Sequence, residues 1–151
     1  ALASVSSGNL KLVGRATGYQ EELVALAASL GVSNRVEFIN DAKHDALPAL
    51  YHTALAFTSA STYEGFGIPL LEAQATGCPV ISSNASCLPE VAGPHSALIE
   101  PTDAKGFSNA MQEFLDNPSI RQQKSAEALT FAAQFKAETL AEQLLALYSL
   151  K

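Results

Sequence analysis

The chain has 151 residues, 48% of them hydrophobic, with nine Lys and Arg against fifteen Asp and Glu, a net charge of −6. That length fits one domain with its own core, and the scattered basic residues exclude a nucleic-acid surface, which needs clustered Lys and Arg. No apolar run reaches the roughly 18 residues of a membrane span, residues 1–8 are too short and lack the basic start of a signal peptide, and Cys78 and Cys87 read as ordinary thiols of a reduced cytosol rather than a disulfide framework or zinc site.

The first expected element is a short strand over residues 10–14, ending in Gly14. Apolar positions at Leu23, Val24, Leu26, Ala27 and Leu30 predict a helix over 21–30, with Gly31 as its stop. Residues 35–39 alternate enough for a second strand, and 45–52 form a short helix with Leu47, Leu50 and Tyr51 on one face. Residues 54–58 are nearly continuously apolar, as a strand inside a parallel sheet would be. A helix follows over 69–76, then strands over 79–82 and 97–99. Asp103 caps a helix that runs to about Asn117, Pro118 restarts one to about Ala133, and a last amphipathic helix spans 137–150 with Leu140, Leu144, Leu147 and Tyr148 as its stripe. Alternating strands and helices joined by short loops predict an α/β fold, a Rossmann-like parallel sheet flanked by helices. Ligands in such sheets bind at the carboxyl ends of the strands, which places the loops after Gly14, Ile39, Thr58 and Ser82 on the binding edge.

The most informative segment lies on that edge: Glu64-Gly65-Phe66-Gly67-Ile68-Pro69-Leu70-Leu71-Glu72. Gly65 and Gly67 permit a tight turn and close approach of a ligand to the backbone. Pro69 is tolerated only in the first helical turn, so the helix starts near Gly67 or Ile68. Its free N–H groups and positive dipole end then form an anion site. From the residues alone two readings stay open. Glu64 and Glu72 either flank a bound diphosphate or are ordinary helix-terminus charges beside a turn. A dehydrogenase would need a G-x-G-x-x-G turn, which the stretch from Gly14 to Gly18 does not supply, and no P-loop or G-x-S-x-G elbow occurs. Among the three histidines, His44 and His52 are not spaced for a metal, and His95 reads as an exposed loop residue.

The Glu64-to-Glu72 spacing, together with Ala75-Thr76-Gly77-Cys78-Pro79-Val80, resembles the E-x7-E signature of retaining GT-B glycosyltransferases of the group 1, family 4 type. The likeness extends to Asn9-Leu10-Lys11-Leu12-Val13-Gly14, Val36-Glu37-Phe38, Leu47-Pro48-Ala49-Leu50-Tyr51, Leu88-Pro89-Glu90-Val91 and Asp116-Asn117-Pro118, nearly the whole chain. The resemblance implies half of a GT-B fold, the C-terminal domain that binds a nucleoside diphosphate sugar of the UDP or GDP type. It implies transfer of that sugar to an acceptor hydroxyl with retention at the anomeric carbon, with no metal or other cofactor. Glu64 would contact the donor sugar as the catalytic residue. Gly65, Phe66 and Gly67 would approach sugar and phosphate, Ile68 would lie against the nucleotide, and Glu72 would accept from ribose hydroxyls. Ile39, Asn40, Asp41 and Ala42 would line the base, with Gly14 and Arg15 near the phosphates.

Residues 1–6 look like the end of that domain's first helix, so residues 1–151 are expected to form a single, N-terminally truncated domain. The family's first strand, its basic diphosphate clamp and the N-terminal domain for the acceptor, a saccharide or lipid-linked sugar, are then expected elsewhere. Loss of a central strand would leave open sheet edges. Three outcomes follow: direct re-pairing of neighbouring strands, strand exchange or self-association between copies, or a strand supplied by another chain. A cytoplasmic location is expected, with a membrane-peripheral parent as an open alternative. A non-catalytic nucleotide-sugar-binding or interaction module is the competing function.

Overall fold

The computed structural model describes residues 1–149. β1 (Leu10–Val13), α1 (Tyr19–Ser29) and β2 (Val36–Ile39) form a strand–helix–strand unit, with β1 and β2 parallel and Leu10 opposite Val36. α2 (Leu47–Thr53) follows a single 3-10 turn at His44–Ala46. Then come β3 (Phe57–Ser59), α3 (Ile68–Ala75), β4 (Val80–Ser83), α4 (Leu88–Ala92) and β5 (Ala97–Ile99). β4 lies between β3 and β5 and is parallel to both, with Phe57 opposite Val80 and Ile81 opposite Ala97. α5 (Ala104–Asp116), α6 (Pro118–Ala132) and α7 (Ala137–Tyr148) complete the chain. The expected last residue of the final helix, Leu150, lies outside the described residues.

β4 organises the core because successive side chains of a strand point to opposite faces. Val80 joins Leu70, Ala73, Cys78, Leu88, Val91 and Ala92 in one buried cluster, between the sheet and helices α3 and α4. Its neighbour Ile81 packs on the other face with Phe107, Ala110 and Phe114 of α5. Helices therefore cover both faces, which explains why all four residues of this strand, Ser82 and Ser83 included, are buried.

The first half of the chain packs more loosely. Before Gly67, only Val5, Ala27 and Val32 have buried side chains. Arg35 compensates in part at the start of β2. Its guanidinium donates to the carbonyl oxygens of Val5 at 3.0 Å, Ser7 at 2.8 Å and Gly8 at 2.8 Å, tying the N-terminal segment to the strand. Within residues 1–6 the structure has one 3-10 turn, Leu2–Ser4.

Three expectations change. The third strand begins at Phe57 rather than Ala54, because Ala54 N–H turns back to the Tyr51 carbonyl, and pairing starts where Phe57 N–H donates to Pro79 O at 2.9 Å. α4 was not expected. Five residues are too few to show a period, yet Pro89 sits in its first turn and Gly93, at φ 73°, ends it. Finally, β1 pairs only with β2, and β3 only with β4, so two parallel sheets stand in place of one. Direct re-pairing of β1 with β3 does not occur among the described residues, because neither strand presents a bonded edge to the other.

Candidate functional site

The loop between β3 and α3 carries Glu64, and side chains from the end of β4 and the turn after it hold its backbone. Ser83 Oγ donates to the Ser61 carbonyl. Ser86 Oγ at 2.9 Å and Cys87 Sγ at 3.2 Å both donate to the carbonyl oxygen of Glu64. Phe66 meets Phe135 edge-on, with ring centroids 6.1 Å apart. The Glu64 carboxylate itself is exposed and makes no hydrogen bond or ion pair among the described residues.

The loop enters α3 through Gly67, whose φ of +94° is open to glycine and strained for other residues. A Cβ there would stand 2.9 Å from Leu88 Cδ2. α3 then starts at Ile68 with Pro69 in its first turn, and no side chain caps it; Pro69 has no N–H and Leu70 N–H donates to the Gly67 carbonyl at 3.0 Å, so the Ile68 N–H and the positive dipole end stay available. Ile68 is 60% exposed beside them, an apolar surface at the helix entrance. One turn further, Glu72 is half-buried and accepts a 3.1 Å hydrogen bond from the Tyr51 hydroxyl on α2. Burial first, then this bond and the Glu72 charge, push the Tyr51 phenol well above its ordinary pKa, so it stays a neutral donor.

The other expected residues gather at the carboxyl ends of β1 and β2. Gly14 N–H donates to the Ile39 carbonyl at 3.1 Å, closing the two strand ends together. Gly14, Arg15 and Asn40 line one hollow of about 180 Å³ with Leu12, Thr17 and Phe38. Ile39, Asp41 and Ala42 do not line it. A larger hollow of about 370 Å³ runs beside α1, lined by Ala16, Thr17, Gln20, Glu21 and Val24. No residue from Glu64 to Glu72 lines either hollow. The site is thus two clusters, one on each sheet.

Sequence reasoning missed Tyr51, Ser86, Cys87 and Phe135 as supports, since each lies more than 20 residues from the group it holds. It also misplaced His95, which is only 8% exposed. The Gly93 turn brings its ring against Phe131, with centroids 5.2 Å apart and planes tilted by 57°. Burial holds its pKa below 6.5; the Glu127 charge opposes that shift and Lys124 adds to it. Among the described residues, no three His, Cys, Asp or Glu side chains gather as a metal cluster, and no helix is long and apolar enough to cross a membrane.

The family model described as "Glycosyl transferases group 1" matches residues 3–131. The chain belongs to that family. Among curated relatives of this glycosyl transferase chain, it is 36% identical over 115 residues to the O-antigen chain mannosyltransferase B of Escherichia coli, covering 76% of the chain and 30% of that protein. Sucrose-phosphate synthase from Thermosynechococcus elongatus superposes with a TM-score of 0.88 at 28% identity, over 99% of this chain and 40% of that one. The Anabaena protein HepE, solved with UDP, superposes with a TM-score of 0.89 at 26% identity, over 99% of this chain and 43% of that one. The chain therefore spans less than half the length of these three proteins, and its sheets and helices are those of a Rossmann-like GT-B domain.

Proposed function

We propose that these residues form the donor half of a retaining glycosyltransferase, which moves a sugar from a nucleoside diphosphate of the UDP or GDP type to an acceptor hydroxyl. The observation that carries this reading is the entrance to α3. An uncapped helix N-terminus is reached through a left-handed glycine, with a free carboxylate just before it and a half-buried one on its second turn. The HepE complexes with UDP and with UDP-glucose support a nucleotide-sugar ligand.

In this reading the diphosphate lies at the positive end of α3, beside the Ile68 N–H, and Gly65, Phe66 and Gly67 pass it backbone-first. Negative charge grows on the diphosphate as the glycosidic bond breaks, and preorganised N–H dipoles stabilise it without rearrangement. Arg15, exposed and without an ion pair among the described residues, adds a cation from the β1 end. Glu64 faces the sugar. Glu72 accepts from the ribose hydroxyls, and Tyr51 fixes its rotamer by occupying one carboxylate oxygen. Ile68 covers the nucleotide, and residues 39–42 meet the base. A saccharide or lipid-linked acceptor would be presented by residues beyond this stretch, and no cofactor is assigned.

Calorimetric titration of the full natural chain with UDP, GDP and ADP tests this. One nucleotide should bind, and Glu72→Ala should weaken it about tenfold through loss of the ribose contact. Equal affinity in the variant would remove Glu72 from the site, and failure of every nucleotide to bind would overturn the donor reading.

A further inference from the structure

We infer that Ser86 is a positioning residue for Glu64, an inference that rests on the reading of Glu64 as the sugar-facing carboxylate. Ser86 is the one non-glycine residue with positive φ among the described residues, at 55°. A side chain is disfavoured there, and glycine would adopt the same turn without strain. What a glycine would lack is the hydroxyl. That hydroxyl crosses 22 positions of sequence to donate to the Glu64 carbonyl oxygen at 2.9 Å. Cys87, next in the chain, donates its thiol to the same oxygen at 3.2 Å. A carbonyl oxygen has two lone pairs, so the two donors together satisfy its full accepting capacity.

The need for such an anchor follows from the residue after Glu64. A Cβ on Gly65 would meet nothing within 4 Å, so packing does not restrain this glycine. Glycine is also the most permissive backbone unit, and an unrestrained one beside Glu64 would let the peptide plane between them rotate. Holding the carbonyl fixes ψ of Glu64 relative to the turn after β4; released, residue 64 could turn about its Cα–C bond and carry with it the carboxylate, which has no other hold among the described residues. The other fixed points flank Glu64: Ser61 Oγ donates to the Tyr63 carbonyl at 3.1 Å and is itself tied through Ser83, while Phe66 meets Phe135 on the other side. Ser86 and Cys87 act on Glu64 itself. A left-handed conformation is what aims the Ser86 hydroxyl back across the turn, so strain is stored where it orients a functional group.

Two variants separate this from an ordinary turn role. Ser86→Gly loses the hydroxyl and relieves the φ; Ser86→Ala loses the hydroxyl and keeps the strain. In the full natural chain, both should lower kcat about tenfold, with the donor KM and nucleoside diphosphate affinity within about twofold of the parent. Thermal stability should instead diverge, with Ser86→Gly at least as stable as Ser86→Ala. A second measurement needs no donor. Glutamyl endopeptidase under native conditions should cut the Glu64–Gly65 bond several-fold faster in both variants, with other glutamate sites unchanged. Unchanged cleavage at that bond, or rates that follow stability across the two variants, would overturn the inference. A parent protein that turns over no nucleotide sugar would overturn the functional reading alone, while selective cleavage at Glu64–Gly65 would still support the anchor.

Discussion

His95 stands against Phe131 beside the Gly93 turn, and its burial makes a pH prediction with a definite sign. The folded imidazole binds its proton less readily than the ordinary value of 6.5 allows. As pH falls below that value the unfolded chain takes up the proton first, so stability is present above about pH 6.5 and is lost below it. Urea unfolding midpoints between pH 5 and 7.5 should fall more steeply with acid for the parent than for His95→Leu. Parallel declines would show that His95 is not held neutral by its pocket. The same residue marks a limit of sequence reading. A loop histidine between Pro94 and Ser96 carries no periodic signal, and its burial comes from Phe131, 36 positions away. Glu64 and Glu72 were legible because their spacing, glycines and proline are local. The Tyr51 bond to Glu72 and the Ser86 bond to Glu64 were not, because they exist only once α2, α3 and the turn after β4 pack together.

At the level of elements, the start of α3 joins fold to function through one glycine. Gly67→Ala must force a side chain into φ +94° and against Leu88 Cδ2, 2.9 Å away in the buried cluster. The cost should be about 2 kcal/mol from left-handed strain and displaced packing. Gly65→Ala meets open space and should cost under about 0.5 kcal/mol. Chemical denaturation of the two variants checks this, and equal losses would mean that the α3 entrance is not fixed as described. Sequence punctuation located this entrance well, as it did the cap at Asp103, whose Oδ1 accepts from Gly106 N–H at 2.8 Å. Where punctuation was absent, boundaries drifted. The apolar run from Ala54 gives no sign of where pairing begins, since the partner strand and not the run decides it. α4 escaped because one and a half turns cannot show a 3.6-residue period.

For the whole molecule, stability should divide along the break between the two sheets. β4 is buried along its length and bonded on both sides, so its amides can exchange only when the main core opens. β1 and β2 have no such protection. Their strands are exposed or half-buried, one edge of β1 is unpaired among the described residues, and Val24 and Leu26 of α1, with Leu30 just after it, are about half exposed. Burying side chains of that size contributes about 1.5–3 kcal/mol each, and the unit forgoes much of this. The alternation of elements made the α/β plan of a parallel sheet flanked by helices legible, whereas this unequal burial depends on how sheets meet and leaves no local mark. Native-state hydrogen exchange on this chain should therefore find the amides that pair β1 with β2 exchanging at least about tenfold faster than those of Ile81 and Ser82. Exchange at one common rate would instead mean that both sheets unfold as a single cooperative unit. The outcome bears on the site, because Gly14, Arg15 and Asn40 ride on the weaker sheet while Glu64 and Glu72 ride on the stronger. A ligand that bridges the two clusters would have to order the first against the second, so nucleotide binding should slow exchange in β1 and β2 while leaving β4 nearly unchanged.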